Sequence, residues 1–164
     1  MKIRLAAECT VDSIVDGPGL RTTVWTQGCK HDCKECHNPS THDMNGGYDV
    51  DVDDLVNFYL KQELQSGVTL SGGDPFYQPE ALLELTSKLK KNNVNIWCYT
   101  GFVFEDLMKD DVCQQVLKNI DVLVDGPFVI AKKSLALLFR GSENQRLINV
   151  QSSLKENKVV LYEE

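Results

Sequence analysis

Four short runs of β-forming residues, each stopping at a glycine and separated by amphipathic stretches, constrain the fold of this chain more than any other feature. Arg21-Thr22-Thr23-Val24-Trp25-Thr26 is rich in β-branched and aromatic side chains and runs into Gly28. Val68-Thr69-Leu70-Ser71 ends at Gly72-Gly73, and the run from Val94 to Tyr99 ends at Thr100-Gly101. Ile120-Asp121-Val122-Leu123-Val124 ends at Asp125-Gly126. Between them, Val52, Leu55, Val56, Tyr59, Leu60 and Leu64 recur at helical spacing, with Asp51 or Asp53 as N-cap and Gly67 as stop. Pro79 opens a second helix through Leu82, Leu85 and Leu89, and Phe104 to Asn119 carries further amphipathic turns. Arg146 to Val150 and Val159 to Tyr162 supply one or two more strands.

Strands alternating with helices imply β-α-β units and a mostly parallel sheet with right-handed crossovers. A closed eightfold barrel takes about 250 residues. A chain of 164 residues is therefore expected to form an incomplete, open (β/α) barrel of about five or six units, α/β in class, as a single domain over 1–164. In such folds ligands sit at the C-terminal ends of the strands, where glycines let a backbone approach them closely.

The cysteines are as uneven as the strands are regular. Of six, three crowd into Cys29-Lys30-His31-Asp32-Cys33-Lys34-Glu35-Cys36, a C-x3-C-x2-C spacing just after the first of the four strands. Cys9, Cys98 and Cys113 are scattered; Cys98 and Cys113 are expected as buried small apolar residues. The start, Met1-Lys2-Ile3-Arg4-Leu5-Ala6-Ala7-Glu8, is broken by charge too early for a secretory signal. No apolar run approaches the roughly 20 residues of a membrane span. The expected location is cytoplasmic, where thiols stay reduced and clustered cysteines mean metal or catalysis.

Thiolates select zinc, Cu(I) and iron–sulfur clusters. Structural zinc wants four ligands, usually as two pairs, and a ferredoxin-type [4Fe-4S] cube takes a cysteine on each iron. Three cysteines leave one iron without a protein ligand. That is a defect for electron transfer and a vacant position for catalysis. A zinc knuckle completed by His31, His37 or His42 stays open on spacing alone. Charge removes another class of partner: 17 Lys+Arg against 24 Asp+Glu give a formal net charge of −7, which argues against nucleic acid and against an anionic membrane surface.

Ser71-Gly72-Gly73-Asp74-Pro75 ends a strand of the same sheet, so its loop and the cysteine loop face one cavity. C-x3-C-x2-C followed by a Gly-Gly-acid strand end resembles the radical S-adenosylmethionine superfamily. Asp16-Gly17-Pro18-Gly19-Leu20-Arg21, Cys36-His37-Asn38-Pro39 and Trp97-Cys98-Tyr99-Thr100-Gly101 are similar to its glycyl-radical activating branch. Val124-Asp125-Gly126-Pro127-Phe128 and Arg140-Gly141-Ser142-Glu143-Asn144-Gln145-Arg146 are similar to the activating proteins of anaerobic ribonucleotide reductases. The resemblance covers about residues 10 to 150. One departure stands out: Glu35 occupies the place before the third cysteine where most of the superfamily has an aromatic residue, with His37 just after it.

The resemblance implies a [4Fe-4S] cluster held by Cys29, Cys33 and Cys36. S-adenosylmethionine would chelate the open iron, with Gly72, Gly73 and Asp74 on its ammonium group and Glu35, Cys36 and His37 beside it. It implies reductive cleavage to a 5′-deoxyadenosyl radical and no catalytic residue beyond the cluster. The implied protein substrate is the large subunit of an anaerobic ribonucleotide reductase, activated at a backbone glycine. The implied electron donor is a low-potential carrier such as flavodoxin or ferredoxin. A radical enzyme acting on a small molecule, and a zinc-binding interaction module, are the competing expectations. Asp125, Arg140 and Arg146 have either ligand, partner or purely local roles.

Overall fold

The computed structural model describes residues 1–29, 43–134 and 137–163, with eight strands among them. The strands are β1 (Lys2–Leu5), β2 (Thr10–Ser13), β3 (Arg21–Thr26), β4 (Tyr48–Asp51), β5 (Gly67–Gly72), β6 (Ile96–Tyr99), β7 (Val122–Asp125) and β8 (Arg146–Asn149). The helices are α1 (Val52–Leu60), α2 (Pro79–Lys91), α3 (Phe104–Leu107), α4 (Asp111–Leu117) and α5 (Val150–Glu156). All eight strands lie in one sheet of order β4-β1-β3-β5-β6-β7-β8, with β2 paired to β3 beside that path.

The centre is the expected open parallel α/β sheet. β3, β5, β6 and β7 run parallel, Trp25 opposite Ser71, Leu70 opposite Cys98 and Tyr99 opposite Val124. They are the four runs that end in glycine, joined by three helical crossovers. The flanks are antiparallel: β1, β2 and β4 on one side, β8 on the other. The chain thus fills its sheet with antiparallel edges where a longer barrel would add β-α units. The 159–162 tail makes a bridge from Leu161 to Ile148, and α5 starts at Val150, where Asn149 caps it by accepting from Ser152 N–H. α1 stops at Leu60; Leu64 lies beyond it, 86% exposed with φ +62°.

Strand alternation divides the sheet into two unlike faces. Val24, Val68, Leu70, Ile96, Cys98, Leu123 and Ile148 point to the face covered by helices, where they meet Val52, Leu55, Leu82, Leu85, Leu89, Val116 and Leu117 in one buried core. Leu82, Leu85 and Leu89 recur at i, i+3 and i+7 on α2, so one stripe reaches the sheet. Each such leucine contributes about 1.5–3 kcal/mol by leaving water. The alternate residues, Arg21, Thr23 and Trp25 on β3, Gly67, Thr69 and Ser71 on β5, and Trp97 and Tyr99 on β6, form the inner, concave face. Its apolar part is small: Trp97, Val122 and Val124, with Tyr99, Phe139, Leu147 and Tyr162 packed against them.

Candidate functional site

At the C-terminal rim of the parallel strands, the loops after β3, β5 and β6 are tied to one another by hydrogen bonds. Gly73 N–H donates to Thr26 C=O at 2.9 Å, and Asp74 N–H donates to Gly28 C=O at 2.9 Å, one residue before Cys29. Gly72 has φ +110°, and a Cβ there would lie 2.3 Å from the Thr26 carbonyl oxygen and 2.4 Å from its nitrogen. The Gly-Gly turn is therefore dictated by the close approach of β5 to β3, quite apart from any ligand.

Asp74 is completely buried. Its carboxylate accepts from Thr100 Oγ1 at 3.0 Å, from Gly101 N–H at 2.8 Å and from Phe76 N–H at 3.0 Å. It caps the 3₁₀ turn Pro75–Tyr77 and fastens the β6 loop to the β5 loop. Gln78 performs a similar service on the other side, exchanging hydrogen bonds with Arg4 and donating to Gln27 C=O at 3.1 Å. Neither link has a periodic signature, so sequence reasoning, which marked Thr100-Gly101 only as a strand end, missed the Thr100–Asp74 tie and missed Gln78 altogether.

Beside this rim the inner face borders an open cavity of about 460 Å3, lined in part by Asp16, Trp25, Ser71, Tyr99, Phe139 and Arg140. Asp16 accepts from Ser13 Oγ at 2.8 Å and Thr23 Oγ1 at 3.2 Å, and its carbonyl accepts from Thr69 Oγ1 at 2.6 Å. Tyr99 donates its hydroxyl to Phe139 C=O at 2.6 Å, and burial pushes the phenol well above its ordinary range. Toward the other end of the strands the inner face carries Arg21, 1% exposed, whose guanidinium bonds Thr69 Oγ1, Val68 C=O and Asn95 Oδ1 and lies 5.7 Å from the Trp97 ring centre. Burial lowers its pKa to about 10.

The remaining expected residues sort themselves by position. Cys29 is half-buried at the end of the β3 loop. Cys33, Glu35, Cys36 and His37 lie outside the described residues. Gly72 and Gly73 are half-buried at the rim. Cys98 and Cys113 are buried, as expected of small apolar residues, and burial raises both thiols, Cys113 to about 12. Among the described residues no group of three or more His, Cys, Asp or Glu side chains could hold a metal ion.

Asp125, 1% exposed, accepts from Phe104 N–H at 2.8 Å and twice from Arg146, at 2.9 and 2.5 Å. Arg146 also bonds Glu105 at 2.6 Å, and both bonds raise its pKa while Glu105 is held below its usual value. The pair fixes β8 and the start of α3 to the end of β7. The segment before Arg146 is knitted internally. Gln145 accepts from Gly141 N–H at 2.8 Å and donates to Gly126 C=O at 3.0 Å, Arg140 donates to Gln145 C=O at 2.5 Å, and Asn144 donates to Pro127 C=O at 2.8 Å. No described helix is long and apolar enough to cross a membrane.

Residues 15–148 match the family model for a 4Fe-4S single cluster domain. The chain is 39% identical over 140 residues to the anaerobic ribonucleoside-triphosphate reductase-activating protein of Vibrio cholerae, covering 80% of this chain and 89% of that protein. It is 36% identical to the protein of that name from Escherichia coli K12, covering 80% and 90%, and to the one from phage T4, covering 81% and 86%. In fold it is similar to the crystal structure of QueE from Escherichia coli, with a TM-score of 0.51 at 17% identity, covering 76% of this chain and 71% of that one.

Proposed function

The chain belongs to the family of anaerobic ribonucleoside-triphosphate reductase-activating proteins, and we propose from that premise that it installs a glycyl radical on the large subunit of such a reductase. Cys29, Cys33 and Cys36 hold the cluster in this reading, within a single domain spanning 1–164. When bound by these thiols, such a cluster with one iron left without a protein ligand would supply the electron for reductive cleavage of S-adenosylmethionine, and the hydrogen atom removed would come from a glycine Cα of the partner. A carrier such as flavodoxin or ferredoxin delivers that electron.

The observation that carries the reading is the convergence at the rim. The loop bearing Cys29 and the Gly72-Gly73 turn are joined by the Gly28–Asp74 hydrogen bond and open beside a cavity on the inner face. The residues suit the group: a half-buried thiol, a glycine turn that lets main chain approach a ligand, and a lumen of aromatic and polar side chains with no competing metal set among the described residues. Gly72 and Gly73 present main chain to the ammonium and carboxylate of S-adenosylmethionine, and Glu35 or His37 flanks its adenine. Asp74 lends the ammonium its negative field while its oxygens hold Thr100, Gly101 and Phe76 in place.

The test is anaerobic reconstitution with iron and sulfide, followed by S-adenosylmethionine, a reductant and the large subunit. About four iron and four sulfide per chain are expected, with formation of 5′-deoxyadenosine that Cys36→Ala abolishes. A colourless, air-stable protein carrying one zinc per chain and forming no 5′-deoxyadenosine would overturn the reading.

A further inference from the structure

The 137–141 segment packs on the inner face between the linings of two cavities: Phe139 lines one, and the Trp97 it packs against lines the other. Above it is the rim cavity of about 460 Å3, and below it one of about 500 Å3 opens at the other end of the strands, lined in part by Arg21, Asn95, Trp97 and Tyr162. Phe139 lies at the boundary. Its ring packs edge-on against Trp97, with centroids 5.3 Å apart and planes at 80°, and Tyr162 meets the same indole at 5.1 Å and 77°. Trp97 is 1% exposed under this cover.

Phe139 reaches that position at φ +63°, a left-handed conformation rare for a bulky residue. Outliers of this kind persist where their surroundings over-determine them, and they gather at functional sites. Here the surroundings are on the page. Tyr99 Oη donates to the Phe139 carbonyl at 2.6 Å from the sheet side. Gly141 fits beneath the Phe128 ring, where a Cβ would stand 3.1 Å from it, and Gln145 holds Gly141 N–H at 2.8 Å. The strap is fixed on both sides of the residue that carries the strain.

We propose that Phe139 is a positioning residue that floors the radical cavity, sealing it from solvent-borne hydrogen donors entering from the lower end of the lumen. The inference rests on the radical-activation reading above. A primary carbon radical takes hydrogen from whichever donor reaches it. From glycine Cα–H the products are 5′-deoxyadenosine and a glycyl radical. From a thiol S–H in the buffer the products are 5′-deoxyadenosine and a thiyl radical, and the partner is left unactivated. A sealed floor favours the first outcome by excluding small molecules.

Phe139→Gly is the informative variant, because glycine is at ease at positive φ and the substitution removes the ring without straining the strap. The loaded protein is mixed with the large subunit in D2O containing dithiothreitol, whose S–H exchanges to S–D. Wild type should give 5′-deoxyadenosine carrying little deuterium and about one glycyl radical for each molecule formed. Phe139→Gly should raise the deuterated share several-fold and lower the radical yield per 5′-deoxyadenosine in proportion. Tyr99→Phe, which keeps the ring and loses the carbonyl bond, should fall between. An independent readout is acrylamide quenching of Trp97 fluorescence in the full chain on a Trp25→Phe background, expected to rise several-fold with Phe139→Gly. Unchanged deuterium content and unchanged quenching, with wild type active, would overturn the floor. Wild type yielding no glycyl radical would instead overturn the activation reading, while the quenching result would still report on the floor.

Discussion

The two faces of the sheet are built from the same strands and obey different rules. The helix-covered face takes Val68, Leu70, Ile96, Cys98 and Leu123 into an apolar core. The inner face takes their immediate neighbours, Thr69, Ser71, Trp97 and Tyr99; Thr69 is hydrogen-bonded through Asp16 and Arg21, Tyr99 through the strap, and Trp97 is held between aromatic rings and the Arg21 guanidinium. Burial on the first face is non-directional and tolerates exchange of one aliphatic side chain for another. Geometry on the second is fixed by named partners, so a lost atom there moves a loop. Stability is concentrated on one side and positioning on the other.

The comparison breaks most visibly on the covered face. Leu82→Ala removes a fully buried side chain of α2 and should cost about 2–5 kcal/mol in chemical denaturation. The variant that still folds should retain the wild-type ratio of glycyl radical to 5′-deoxyadenosine. On the rim, Gly72→Ala drives a Cβ into Thr26 and displaces the turn. Misplacement of that kind is expected to lower the rate of 5′-deoxyadenosine formation roughly 100-fold, measured under single-turnover conditions. Equal rates for Gly72→Ala and wild type would place the ligand elsewhere.

Asp74→Asn sharpens the contrast. An amide presents N–H donors to Thr100 and Gly101, which already donate, so stability should fall by about 1–3 kcal/mol. Iron retention after gel filtration should fall with it, because loss of the side-chain ties lets the turn shift and carries the main-chain N–H of residue 74 away from the carbonyl next to Cys29. The smallest effect is electrostatic. Arg146 holds Glu105 below its ordinary value of 4.5. That pairing stabilises the folded chain above the ordinary carboxylate range, and the contribution is lost as pH falls through the lowered folded-state value. Because Glu105 is 58% exposed, the pair contributes under about 1 kcal/mol. Glu105→Gln should lower the melting temperature slightly at pH 7 and converge with wild type in acid.

The parallel centre was legible in the sequence because its strands are buried on both faces and end in glycine. Arg21–Thr26, Gly67–Gly72 and the β6 and β7 runs fall where composition places them. The edges were not. Lys2–Leu5 alternates Ile3 and Leu5 inward with charged residues outward, which at the start of a chain reads as a broken apolar run. Asn149 ends a strand and caps a helix in consecutive bonds, so α5 was hidden behind the strand expected there. At the site, the cysteine triplet and the glycine turn were visible as spacing. The cross-loop partners Thr100, Gln78 and Phe139 were not, since a hydrogen bond between residues 26 or 74 positions apart leaves no local pattern.

The rim as a source of a radical delivered to a protein partner is tested most directly by electron paramagnetic resonance on the anaerobic mixture of loaded protein, S-adenosylmethionine, reductant and reductase large subunit. The account predicts a glycyl radical signal on the large subunit that disappears with Cys29→Ala. It would be contradicted by 5′-deoxyadenosine accumulating at the wild-type rate while the large subunit carries no radical at all.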